Sequence, residues 1–111
     1  MMTAIFLAGC NALDPCENVL LRQAMSLDGK LKAVVFSRGC GATTSESVQI
    51  SILQASAVLP NEAGNIFVAE EANIYVKWLS TSQLQITVPA KAQIFHKQQK
   101  HGAIQIVYKT Q

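Results

Sequence analysis

The sequence predicts a single all-β domain, an antiparallel sandwich or small barrel of about seven strands. Apolar and polar residues alternate in four places, at Val48, Ile50 and Ile52, at Ile74, Val76 and Trp78, at Leu84, Ile86 and Val88, and at Ile104, Ile106 and Tyr108. Side chains two residues apart share one face of a strand, so each run reads as a half-buried strand with one polar side. Polar or turn-forming clusters at 60–64, 70–73, 80–83 and 98–102 punctuate these runs at short intervals. Many short strands at such spacing imply packed antiparallel sheets.

Length and composition agree with one domain. A chain of 111 residues, half of them hydrophobic and only 14% charged, has enough apolar surface to fold around a core without staples. The net charge of +2 comes from scattered basic residues. Lys91, Lys97, Lys100, His101 and Lys109 gather near the C-terminus with only Phe95 and Tyr108 among them. That pattern suits a solvated, lysine-protected strand edge and gives no nucleic-acid surface. No apolar run reaches the ~18 residues of a membrane-spanning helix.

Taken in order, residues 1–10 form either the remnant of a lipoprotein signal or an N-terminal strand, and 11–111 form the β domain. Leu7, Ala8, Gly9 and Cys10 match the end of a bacterial lipoprotein signal, in which the cysteine is acylated. Asp14, Pro15 and Glu17 carry a local helix-start signal. They support an alternative α+β domain with a short helix over 14–25. The preferred reading there is a strand over 19–25, because Asp28-Gly29 supplies a tight hairpin turn before the apolar run 31–36. Short strands are expected at 66–69 and 94–95. The segments 31–36, 48–53 and 74–79 carry the most apolar residues and are expected to be central.

Between the hairpin's return strand and Val48 lie Arg38, the Gly39-Cys40-Gly41 triplet, Thr43 and Thr44. The runs C-E-N at 16–18, S-L-D-G-K at 26–30, A-V-V-F at 33–36, C-G-A-T-T at 40–44, V-Q-I-S-I-L at 48–53 and G-N-I-F-V-A at 64–69, with Trp78-Leu79, make the chain similar to a family of small uncharacterised bacterial proteins. Many of those are predicted lipoproteins. The resemblance spans most of the chain after Cys16 and implies an envelope setting and two recurrent cysteines. It brings no activity.

Three cysteines leave one unpaired if two bridge. With Cys10 acylated, Cys16 and Cys40 remain as a pair, which places the protein in an oxidising compartment. The competing reading is three buried thiols in a cytoplasmic protein. Enzymatic chemistry would need Cys40 as a nucleophile with His96 or His101 as its base, but no cysteine-protease signature flanks it. A zinc site from Cys16, Cys40, His96 and His101 lacks the close ligand pairs that pre-arrange a tetrahedron. Glu70 and Glu71 are adjacent, point to opposite sides of any strand, and read as a solvated turn. No cofactor signature is present. The expectation is therefore a non-enzymatic binding or inhibitor module at the bacterial envelope, lipid-anchored through Cys10, with Arg38, Thr43 and Thr44 contacting a protein partner. The small thiol-dependent enzyme is its rival.

Overall fold

A computed structural model describes residues 15–41 and 45–111. Nine strands follow one another with no helix among the described residues: β1 (Glu17–Met25), β2 (Leu31–Gly39), β3 (Ser47–Gln54), β4 (Phe67–Glu70), β5 (Tyr75–Ser80), β6 (Gln83–Val88), β7 (Ile94–Lys97), β8 (Lys100–His101) and β9 (Ile104–Thr110). They form a five-stranded sheet, β1-β2-β3-β4-β7, and a four-stranded sheet, β5-β6-β9-β8. The two pack face to face as an open sandwich, not a closed barrel.

Residues 17–25 are strand throughout, which overturns the helix over 14–25. The helix-start signal spans only a few residues of sequence, whereas the turn after Met25 recruits 17–25 into a ladder with β2, from Glu17 opposite Gly39 to Met25 opposite Lys32. Gly29 adopts a positive φ of 74°. Around it the Ser26 hydroxyl donates to Asp28 Oδ1 at 2.7 Å and accepts from the Leu31 amide at 3.0 Å, while the Lys30 amide donates to Asp28 at 3.1 Å. The Ser26 hydroxyl, followed by the Lys30 amide, holds the Asp28 carboxyl below its ordinary value.

The core lies between the sheets. Ala33, Val35, Val48, Ile50, Ile52, Phe67 and Ala69 face Ile74, Trp78, Leu84, Ile86, Val88, Ile104 and Ile106, so the period-two positions are the inward ones. Two polar contacts tie the sheets at the β1 margin. Trp78 Nε1 donates to the Ala24 carbonyl at 2.9 Å, and Arg22 donates to the Ile74 carbonyl at 2.5 Å with its guanidinium 4.5 Å from the Tyr75 ring centre. At the far corner the Tyr108 hydroxyl donates to the Gln98 carbonyl at 2.6 Å, and its ring lies 6.1 Å from that of Phe67.

The outer face of the larger sheet is covered as well. Val34 and Phe36 point away from the core, yet both are buried, as are Gln49 and Ser51 beside them. The 55–65 segment crosses this face. Gly64 and Asn65 donate their amides to Gln49 Oε1 at 2.7 Å and Ser51 Oγ at 2.9 Å, and the Asn65 side chain bonds both the amide and the carbonyl of Ile52. Gly64 has no room for a side chain: a Cβ there would sit 2.7 Å from the Ile50 carbonyl oxygen and 2.8 Å from that of Phe67.

Three expectations need correction. The strands number nine rather than about seven, the unexpected one being the two-residue β8 (Lys100–His101), which occupies part of the expected 98–102 turn and lies in the other sheet from β7. The segment expected as central at 74–79 is β5, an edge; Ile74 and Trp78 are buried by the facing sheet and not by flanking strands. Finally, β6 and β9 pair in parallel, from Gln83 opposite Gln105 to Val88 opposite Thr110, since the chain crosses to the other sheet for β7 before returning.

Two outcomes follow. Gly64→Ala should lower the free energy of unfolding by about 2 kcal/mol or more in urea denaturation, because rigid backbone on both sides cannot yield. Burial pushes the Tyr108 phenol up to about 12, against about 10 when unfolded. A raised folded value stabilises below the unfolded one and is lost as pH climbs from about 10 to about 12. Wild-type stability should fall more steeply across that window than that of Tyr108→Phe.

Candidate functional site

The β1-β2 hairpin extends past the smaller sheet, and its free end is closed covalently. Cys16 and Cys40 lie just beyond the last ladder pair, Glu17 and Gly39, and form a disulfide with their Cα atoms 3.8 Å apart. That separation is inside the ~7 Å limit for bridging without backbone movement. A bridge of this kind is typical of proteins that mature in an oxidising compartment.

A polar network braces the same end from the outer face. Arg38 Nη1 donates to Asn18 Oδ1 at 2.8 Å and Asn61 Oδ1 at 2.9 Å. Asn18 donates to the Pro60 and Glu62 carbonyls, and Asn61 to the Cys16 carbonyl. The guanidinium thus joins both hairpin strands to the 55–65 segment. Arg38, expected to face a partner, is half-buried at the end of β2 and bonds within the chain. Thr43, Thr44 and Cys10 lie outside the described residues.

On the inner face this end is open. A hollow of about 460 Å³ is lined by Glu17, Val19, Ser37, Gly39 and Glu46 together with Pro15 and Gly41. A second, of about 340 Å³, adjoins it through Ser37 and Glu46 and reaches Leu21, Arg22, Val48 and Glu71. Glu17, Glu46 and Glu71 are exposed on the surface of this groove. Sequence reasoning missed it. The phase of β1 puts Glu17, Val19 and Arg22 on one face, but only the differing reach of the sheets leaves that face uncovered.

The rival chemistries are not brought together. Cys40 gives its sulfur to the bridge, and His96 lies on β7, separated from β2 by β3 and β4. Three strand spacings amount to about 14 Å. His101 is in the other sheet. The four-residue zinc set is therefore dispersed, and among the described residues no three His, Cys, Asp or Glu side chains are grouped to hold a metal ion. Among the described residues, no helix is long and apolar enough to cross a membrane.

Comparison with protein-family models, with curated proteins and with solved structures returns no match.

The bridge closes a loop with a sequence separation of 24 residues. Reduction, or a Cys16→Ser, Cys40→Ser double substitution, should lower stability by roughly 3 kcal/mol in the chain-entropy model. Guanidinium titrations with and without reductant would measure it, with the oxidised form unfolding later.

Proposed function

We propose that the protein is a non-enzymatic binding or inhibitor module of the bacterial cell envelope, working at the disulfide-braced end of its larger sheet. The observation that carries this reading is the open groove at that end, held on a scaffold fixed by a bridge and by the Arg38-Asn18-Asn61 network. Binding surfaces commonly sit where loops meet a rigid frame. Arg38 serves by holding the frame. Direct contact falls to the groove, with Thr43 and Thr44 kept as partner-contacting residues on the sequence pattern alone.

The disulfide supports an oxidising setting, and the Leu7-Ala8-Gly9-Cys10 pattern supports lipid attachment at Cys10. Six residue steps from Cys10 to Cys16 reach about 20 Å when fully extended. A lipid at Cys10 would therefore keep the braced end close to the membrane surface, where an envelope partner would meet it.

Photo-crosslinking in cells tests the reading. A photoreactive residue at Ser45, beside the groove, should give defined adducts that the same residue at Thr81, in the β5-β6 turn, does not. Identical adducts from both positions, or none from Ser45, would retire this end as the contact surface.

A further inference from the structure

The four sheet edges are not alike. β7 is four residues long and carries Lys97, β8 is two residues and carries Lys100, and β5 is six residues and carries Lys77. Short length and outward lysines are the usual protections against strand addition. β1 is nine residues long and contains neither lysine nor proline. Val19, Leu20 and Leu21 remain 53%, 48% and 47% exposed along it. Its single irregularity falls between Leu20 and Arg22, so Glu17 to Leu20 keeps a regular ladder with β2, and among the described residues no strand pairs with its outer edge.

That regular stretch borders the groove. Glu17, Glu46 and Glu71 are set around its floor of Val19, Ser37 and Gly39, and Glu46 lies against Gly39, where a Cβ would come within 3.2 Å of its Cγ. Among the described residues Arg22 is the one lysine or arginine lining it, and Arg22 is already engaged by the Ile74 carbonyl and the Tyr75 ring. The chain as a whole carries +2, so this acidic surface is local. Its carboxylates are spread along the groove and do not converge on a metal-sized point, which suits an extended cationic partner.

We propose that the free edge of β1 takes an extended basic polypeptide segment as an added strand, with alternate lysine or arginine side chains turned into the groove toward Glu17, Glu46 and Glu71. Main-chain pairing supplies affinity in such additions, and the side chains on one face supply selectivity. The assignment rests on the binding-module reading and names the chemistry of its partner.

A labelled hexapeptide of alternating lysine and valine, its glutamate-valine counterpart, and a lysine-valine version methylated at alternate amides test it by fluorescence anisotropy at low ionic strength. The lysine peptide should bind the oxidised protein, weaken with added salt, and bind a Glu17→Gln, Glu46→Gln variant about tenfold less well. The glutamate and methylated peptides should not bind. Unchanged affinity in a variant with wild-type circular dichroism, equal binding of the methylated peptide, or no binding of the lysine peptide would overturn the proposal. So would a concentration-dependent dimer that the lysine peptide fails to dissociate, since a second copy would then own the edge. Crosslinks at Ser45 without lysine-peptide binding would leave the binding module standing and remove only the basic segment.

Discussion

The close approach of the Gly64-Asn65 backbone to β3 is the constraint on which most of this structure depends. With no side chain at Gly64, the 55–65 segment can lie directly on the sheet and meet Gln49 and Ser51, two buried polar residues that would otherwise be costly. Once seated, the segment closes the outer face over Val34 and Phe36, and full burial of a phenylalanine stabilises by about 1.5–3 kcal/mol. The same segment then reaches Asn18 and Arg38 and steadies the hairpin end. A local absence of volume at one glycine thus propagates to the groove.

The short runs C-E-N, S-L-D-G-K, V-Q-I-S-I-L, G-N and C-G-A-T-T each take a definite place in this architecture. C-E-N contributes a bridge cysteine and Asn18, which holds the crossing segment. S-L-D-G-K is the hydrogen-bonded turn. V-Q-I-S-I-L interleaves core residues with the two polar anchors, and G-N provides what they anchor. Cys40 of C-G-A-T-T completes the bridge. Read this way, the pattern is largely a specification of architecture, and the acidic residues of the groove lie mostly outside it.

Much of the fold was legible in the residues. Wherever one face is buried and the other wetter, alternation had to appear, and it did in β6 and β9; in β3 the same alternation marks two buried faces, one apolar and one carrying the polar anchors Gln49 and Ser51. Asp28-Gly29 announced its turn, and the parity of the cysteines pointed to the pair that bridges. What stayed hidden depends on partners distant in sequence. Nothing within 74–79 tells an edge strand from a central one when the facing sheet does the burying. Nothing within 100–101 marks a two-residue strand, and the parallel pairing of β6 with β9 depends on a crossing made in between. Arg38 looked like a loop residue awaiting a partner because its own partners, Asn18 and Asn61, lie 20 and 23 residues away. The groove was least visible of all, being a difference in reach between two sheets.

The position of the disulfide also governs how the domain bears mechanical load. An edge strand pulled from its first residue normally unzips one hydrogen-bonded pair at a time, which is the weakest way to load a ladder. Here the bridge sits ahead of the first pair, so tension arriving through the chain before Cys16 passes covalently to Cys40 and divides between the two strands. The ladder is relieved of peeling from that end. An edge left open to added strands can in this way be tugged from its N-terminal side without coming away from its sheet.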